Sequence, residues 1–247
     1  MILNLELPTD IFRLNHGVHL SLVFSKLPIS TSYESDFCFI SKSSAEWNIV
    51  FIELEKPSSK FFNKNGTMAH DFNTGYSQIK NWQTHFSRLE NQLAFKNIPV
   101  IKNIMSVNPK MYENPCNFKY ILVTGRRNEL ENSKYYYKRN EYCNETTYVL
   151  TYDSLYENLK YKNDKYICRI KNNDLYIDSE EFIDDNVFAW TDCVNIKIKP
   201  KVYDKLIEIS KKRPNYSDSN LDFLNFLGEN TDIKLDNLKN NLIKKIE

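Results

Sequence analysis

The chain has 247 residues, of which 41% are hydrophobic, and a formal net charge of +1. It is long and apolar enough to bury a core, but it lacks the general basic excess of a dedicated DNA-binding domain. No apolar run approaches the roughly 20 residues that cross a bilayer, and the N-terminus lacks the pattern of a signal peptide. We therefore expect a cytoplasmic protein without membrane contact. The five widely spaced cysteines indicate reduced thiols rather than a disulfide framework or a zinc site.

The first elements of the chain are a predicted helix and two predicted strands. Residues 8–24 favour a helix, on which His16 and His19 are three positions apart and fit a structural role better than a metal site. Residues 36–40 predict a short strand that ends in a polar turn. Residues 48–55 are apolar on both faces until Glu53, which is typical of a central strand covered on both sides.

Helices and strands alternate in the middle of the chain. Residues 69–95 predict one long helix with a buried stripe at helical spacing, made of Phe72, Tyr76, Ile79, Phe86, Leu89 and Leu93. Residues 118–123 predict a buried strand, followed by a helix through a tyrosine cluster. Residues 147–152 predict another strand, after which Asp153 can cap a helix that runs to Tyr161. This alternation predicts an α/β core with a mixed central sheet flanked by helices.

A boundary near Lys162 is predicted to divide the chain into a domain of residues 1–162 and a C-terminal α+β extension of residues 163–247. The extension is predicted to begin with a hairpin around Asn172, Asn173 and Asp174. A strand over 194–198, a helix near 203–211, a polar linker over 213–220 and an amphipathic helical tail from residue 233 are predicted to follow.

Three carboxylates are predicted to meet beside the central strand. Side chains two apart in a strand share a face, so Glu53 and Glu55 project together. If residues 36–40 form the antiparallel partner, Asp36 lies opposite the end of that strand. Like charges this close are costly without a cation, and hard oxygen ligands suit magnesium or manganese. Gln78, on a polar stripe of the long helix, would lean over the same site, although solvated surface positions also explain these residues.

The order of these residues resembles the signature of the PD-(D/E)xK nuclease superfamily: an aspartate, a hairpin, a Glu-x-(Lys or another residue) motif and a helix with a glutamine. A fuller string resembles the nuclease domain of the Shedu anti-phage defence family over residues 35–159. It consists of Asp36-Phe, Phe51-Ile-Glu-Leu-Glu-Lys-Pro57, Phe61-Phe62, Gly75-Tyr-Ser-Gln-Ile-Lys-Asn-Trp82, Leu122-Val-Thr-Gly-Arg-Arg127 and Leu150-Thr-Tyr-Asp-Ser-Leu155.

The resemblance implies a restriction-endonuclease-like core and a Mg²⁺-dependent or Mn²⁺-dependent DNA endonuclease of bacterial immunity, assembled as a dimer or tetramer. It implies that Asp36 and Glu53 bind the metal and that Gln78 is the motif residue of the helix. The usual motif lysine is replaced by Glu55, which becomes a candidate third ligand or base. Lys56, on the opposite strand face unless a bulge turns it inward, or Lys60 would then supply the missing cation.

Basic residues provide candidate DNA contacts. Gly125 could shape a phosphate-binding turn from which Arg126 and Arg127 contact the DNA backbone. Two basic patches are present, each of which is also explained as a solvated face. The first comprises Arg126, Arg127, Lys134, Lys138 and Arg139, and the second comprises Lys197, Lys199, Lys201, Lys205, Lys211 and Lys212. The aromatic residues Trp47, Phe62 and Trp82 fit the core better than a base-stacking role.

Two other functions stay open at this stage. The glutamate at position 55 and the neutral net charge favour a nuclease-like subunit that binds DNA, or senses a phage component, with little or no cleavage. The amphipathic tail favours a structural subunit of a defence assembly.

Overall fold

One mixed eight-stranded sheet organises the protein. The computed structural model describes residues 18–106, 109–156, 166–177 and 196–198, together with residues 204 and 208. The strands are β1 (Val18–Pro28), β2 (Glu34–Lys42), β3 (Trp47–Leu54), β4 (Cys116–Val123), β5 (Thr147–Leu150), β6 (Tyr166–Lys171), β7 (Asp174–Ile177) and β8 (Ile196–Ile198). Their order in the sheet is β5-β4-β3-β2-β1-β6-β7-β8.

The sheet contains both antiparallel and parallel strand pairs. Strands β1, β2 and β3 form an antiparallel meander, and β6 pairs antiparallel with β7. The pairs β3–β4, β4–β5, β1–β6 and β7–β8 are parallel. The helices are α1 (His70–Phe86), α2 (Leu89–Lys96), α3 (Pro99–Met105), α4 (Pro109–Tyr112), α5 (Ser133–Asn140) and α6 (Tyr152–Tyr156), with a 3-10 turn at Arg127–Leu130.

The sheet is covered on both faces, which explains the uninterrupted apolar run of β3. Ile49 and Phe51 belong to a large core cluster with residues of α1, α2 and α3. Val50 and Ile52 point the other way, into a smaller cluster that includes Leu155 of α6. The predicted mixed α/β sheet with flanking helices is therefore confirmed. None of the described helices combines the length and apolarity that crossing a membrane requires.

The predicted N-terminal helix is wrong where the structure describes it. Residues 18–24 lie in β1, which pairs with β2 on one side and β6 on the other. His19 is buried there, with its Nε2 atom 3.2 Å from the Ile104 carbonyl oxygen and its ring edge against Trp47. His19 thus has a structural role, and His16 lies outside the described residues.

The predicted long helix over 69–95 is also wrong, because α1 ends at Phe86 and α2 begins at Leu89. The break is stabilised by side chains that bind the last carbonyls of α1: the Gln92 amide donates to the Phe86 oxygen at 2.7 Å. Leu89 and Leu93, which were predicted to lie in the buried stripe, are exposed as a result.

The predicted hairpin after residue 165 is confirmed. Asn172 and Asn173 have left-handed φ angles of 52° and 65°, as a two-residue turn requires, and they join β6 to β7. Strand β8 lies within the predicted 194–198 segment. Strands β6 to β8 extend the sheet beyond β1, and the boundary at residue 162 stays a prediction. The predicted linker over 213–220 and the tail from residue 233 lie outside the described residues, as does the helix near 203–211 except Asp204 and Glu208, which are helical.

Candidate active site at the end of β3

Asp36 and Glu53 lie on the same face of the sheet, the face covered by α1. The register of β2 and β3 pairs Phe37 with Ile52 and Cys38 with Phe51, which sets Asp36 opposite Glu53. A strand alternates its side chains, and both Cys38 and Phe51 belong to the cluster beneath α1. One oxygen of Asp36, Oδ2, accepts the Leu54 backbone N–H at 2.8 Å and fixes the carboxylate at the strand end.

Glu53 is the most unusual carboxylate of the described chain. Its side chain is buried, with 9% of the residue exposed, and its Oε2 atom has no hydrogen-bond partner. Burial, followed by the negative charges of Asp36 and Glu55, raises the pKa of Glu53 to about 8, while the Lys26 ammonium partly opposes this rise. A buried carboxylate with an unsatisfied oxygen is costly unless a cation or a proton completes it.

Glu55 follows β3 and lies against α1. Its backbone N–H donates to the Val123 oxygen at 2.9 Å, which prolongs the pairing with β4. A Cβ atom added to Gly75 would lie 2.9 Å from Glu55 Cγ, so the missing side chain of the glycine makes room for the glutamate. Burial raises the pKa of Glu55, and the charges of Asp71 and Asp36 add to the rise.

Asp71 is a fourth carboxylate near this site that the sequence analysis did not single out. It lies in the first turn of α1, and its Oδ2 atom accepts a hydrogen bond from the Ser59 hydroxyl at 2.8 Å. Its spacing of four residues before Gly75 and seven before Gln78 puts all three on one face of α1. That spacing was the available signal in the sequence.

Gln78 and Lys56 occupy different surroundings. Gln78 is half-buried in α1, one turn after the glycine that contacts Glu55. Lys56 is exposed, and its backbone oxygen accepts the N–H groups of Ser59 at 3.0 Å and Gly125 at 3.3 Å. Lys60 is exposed as well.

Lys26 is a cation that contacts this site, and it was not predicted because no strand was predicted there. The Lys26 ammonium donates a hydrogen bond to Asp36 Oδ1 and lies 3.9 Å from Glu34 Oε1. The hydrogen bond to Asp36 raises the pKa of Lys26, so the group stays charged.

The donor atoms of this site suit a divalent metal ion. The donors are carboxylate oxygens, the ligands that Mg²⁺ and Mn²⁺ prefer, and Glu53 carries an oxygen without a partner. The residues thus fit a divalent ion in chemistry and charge. Across the described ranges, however, no three His, Cys, Asp or Glu side chains are grouped closely enough to hold one as they stand. Asp36 is bound to Lys26, and mutually repelling carboxylates do not converge without a cation.

Arg126, which follows the turn at Gly125, is bound by Asp153. Gly125 has a left-handed φ of 56°, and an added Cβ would lie 2.6 Å from the Ser59 carbonyl oxygen. The Arg126 Nη2 atom donates to Asp153 Oδ1 at 2.6 Å, and the Arg127 backbone N–H donates to Asp153 Oδ2 at 2.7 Å. These hydrogen bonds hold the pKa of Asp153 down at about 2.

The predicted helix cap by Asp153 is therefore wrong. Asp153 is the second residue of α6 and binds Arg126, whereas the Thr151 hydroxyl accepts the Ser154 N–H at 3.4 Å.

Other residues of the first basic patch also make structural contacts. Lys138 donates to the Gly66 carbonyl oxygen, and Arg139 donates to the Val149 carbonyl oxygen at 2.6 Å. The side chains of the second patch lie outside the described residues. Trp47, Phe62 and Trp82 are buried in the core, as predicted.

The family model for the C-terminal part of the Shedu protein SduA matches residues 6–156, more than half of the chain. This chain belongs to the Shedu family. The match includes β1 to β5 and every candidate site residue of this Shedu chain, from Asp36 to Arg127. A comparison with curated proteins returned no match. Membership in the Shedu family implies a role in anti-phage defence.

Proposed function

We propose that this protein is a metal-dependent DNA endonuclease, cutting one or both strands, in bacterial anti-phage defence, with a PD-(D/E)xK core. The observation that carries the proposal is the buried Glu53 carboxylate, whose Oε2 atom has no partner and which lies opposite Asp36. A fold retains such a group at a cost, and clusters of perturbed carboxylates are typical of functional sites.

Asp36, Glu53 and Glu55 would hold Mg²⁺ or Mn²⁺ in this proposal. Bound there, the ion would supply neutralisation of the phosphate charge and activation of water. Asp36 has to exchange its contact with Lys26 for this binding, and its hydrogen bond from Leu54 keeps the carboxylate at the strand end meanwhile.

Other side chains of the site have separate roles in this proposal. Glu55, half-buried beneath α1, serves as a third ligand or as a base that orients water. Gln78 lies one turn further along α1 and positions substrate or water. Lys56 remains a candidate cation, and Arg126 and Arg127 candidate DNA contacts, although Asp153 competes for Arg126. We also propose a homo-oligomer that acts in the cytoplasm.

Cleavage of supercoiled plasmid tests this function. We expect nicked or linear product with Mg²⁺ or Mn²⁺, none with EDTA, and a loss of at least about 10²-fold in Asp36→Ala and Glu53→Ala. Glu46→Gln is the matched control, because Glu46 precedes β3 at its other end. Full activity in both alanine variants would disprove the site assignment.

A second candidate is a nuclease-like DNA-binding or sensor subunit that does not cut. The observation that favours it is that no three potential ligands are gathered within the described residues. This candidate predicts DNA binding without product in any divalent metal, which an electrophoretic shift measured beside the plasmid assay would reveal.

A further inference from the structure

The segment at the end of β3 lacks the positively charged motif residue that it carries in the superfamily. The motif position that holds lysine in the superfamily is Glu55 here. Asp36 lies opposite Glu53 across β2 and β3, Glu55 follows β3, and Asp71 lies in the first turn of α1, which covers this face. A phosphodiester brings a further negative charge. A protein cation from another element would offset part of this negative charge.

Lys26 is such a cation, and it comes from β1. The β1–β2 register pairs Ser25 with Phe37 and Leu27 with Ser35, so Lys26 lies across from Asp36. Its ammonium contacts Asp36 Oδ1. Among the described residues, the ion pair of Asp36 is made with Lys26 and not with Lys56 or Lys60.

The backbone at Lys26 has an uncommon conformation. Its φ angle is 52°, in the left-handed region that residues with a Cβ atom avoid, although it lies within a strand. Strained positions of this kind cluster at functional sites, where surrounding structure maintains them. The side chain remains 56% exposed, so the ammonium can reach a ligand that approaches from solvent.

We propose that Lys26 supplies the cation that the motif lacks at position 55 and contacts the scissile phosphate directly. The inference rests on the proposed nuclease function. In the resting protein the ammonium is held by Asp36, and it transfers to a phosphate oxygen when DNA and metal occupy the site.

The role is electrostatic and leaves Lys26 protonated throughout. The oxygen of a water molecule adds to phosphorus, one phosphorus–oxygen ester bond breaks, one water proton passes to the released alkoxide oxygen and makes it a hydroxyl group, and the other leaves to solvent. Lys26 donates a hydrogen bond to a non-bridging phosphate oxygen, whose negative charge grows in the transition state. Removing one such donor typically costs about 10² to 10³-fold in rate.

Two measurements on the 247-residue protein test this role: plasmid cleavage with Mn²⁺, and Mn²⁺ affinity by calorimetry. We expect Lys26→Met to lose about 10²-fold in cleavage while its Mn²⁺ affinity is unchanged or higher, because a competing cation has been removed. Lys26→Arg, which keeps the charge, should recover part of the rate. Lys102→Met is the matched control and should cleave like the parent, since Lys102 is exposed on α3, which packs near His19 at the other end of the sheet.

The outcomes separate this inference from the function on which it rests. If the parent cleaves and Lys26→Met cleaves equally well, the role of Lys26 is disproved and the nuclease function stands. If Lys26→Met loses Mn²⁺ affinity and cleavage together, Lys26 only positions Asp36, which also contradicts the inference. A larger loss in Lys56→Met than in Lys26→Met would assign the cation to Lys56. A parent protein that cleaves in no metal overturns both proposals.

Discussion

A glutamate lies at each end of β3, and the two carboxylates differ in their hydrogen bonds. Glu46, which precedes the strand, accepts the Asn48 amide at 3.1 Å on one oxygen and the Asn117 amide at 2.7 Å on the other. Glu53 is more deeply buried, and its Oε2 atom has no partner. The fold therefore provides hydrogen-bond donors for both carboxylate oxygens of Glu46 but none for Glu53 Oε2. We propose that a bound ligand contacts this oxygen of Glu53.

The two ends of β3 also differ in how they shift the pKa values of buried groups. At the Glu46 end, burial lowers the pKa of His19 to about 4, so its ring is neutral and packs against Trp47. At the other end the pKa of Glu53 rises to about 8 beside two further carboxylates. The first perturbation results from packing a ring in the core. The second also begins with burial, but the charges of neighbouring carboxylates add to it, and such perturbed groups cluster at functional sites.

The largest effect should come from changing the charge at position 55. We expect Glu55→Lys, which restores the superfamily motif, to cleave at least about 10²-fold more slowly than the parent. The new lysine would remove an anion from the proposed metal site and bring a second cation near Lys26. Plasmid cleavage beside Mn²⁺ calorimetry checks this, and Glu55→Gln separates the two roles of Glu55. A ligand loses metal and activity together, whereas a base loses activity alone. Cleavage by Glu55→Lys at the parent rate would contradict this account.

The pH dependence of stability distinguishes the two ends in the metal-free protein. The pKa of Glu53 is raised from 4.5 to about 8, so folding favours its neutral form, and the stability it contributes below about pH 4.5 is lost as pH rises through 8. The pKa of His19 is lowered from 6.5 to about 4, so its contribution is lost as pH falls through that range.

Urea unfolding of Glu53→Gln against the parent measures the first of these effects. The variant should gain stability over the parent by a few kcal/mol between about pH 5 and about pH 8, because the amide has no charge to bury. Mn²⁺ should stabilise the parent at the higher pH and should not stabilise the variant to the same extent. A stability difference that is independent of pH would show that Glu53 is not perturbed.

A smaller effect is expected at Gly75. Replacing a helical glycine by alanine usually stabilises a protein by about 0.5 to 1 kcal/mol. Here the added methyl group would lie 2.7 Å from Leu122 Cδ1 and 2.9 Å from Glu55 Cγ. We expect Gly75→Ala to destabilise by about 1 to 3 kcal/mol and to slow cleavage by displacing Glu55. Ser77→Ala, exposed on the same helix, is the control, and a stabilised Gly75→Ala would show that the contact yields easily.

The sequence predicted the parts of this site that depend on strand periodicity. The apolar run of β3 and the polar turn before it indicate a central hairpin, and side chains two apart share a face. This logic set Glu53 and Glu55 together and Asp36 opposite, as the register has it for Asp36 and Glu53. The family-like string strengthened the assignment because its motifs occur in order.

The parts that depend on distant segments escaped prediction. Lys26 was missed because β1 is defined by β2 and β6, and the latter pairs with it from more than a hundred residues away. The break between α1 and α2 was missed because Leu89 and Leu93 continue the apolar period, although they are exposed. Asp71 shares a helix face with Gly75 and Gln78 in the sequence, but its place beside the site depends on Ser59 and Glu55, which precede the helix.

Calorimetric titration of Mn²⁺ into the parent, Glu53→Gln and Glu46→Gln shows whether the Glu53 end of β3 binds a metal ion. We predict binding to the parent, a loss of at least about tenfold in affinity for Glu53→Gln because an anionic ligand becomes neutral, and unchanged affinity for Glu46→Gln. Equal affinities in all three proteins, or no binding to the parent, would contradict the claim that the Glu53 end of β3 is completed by a metal ion.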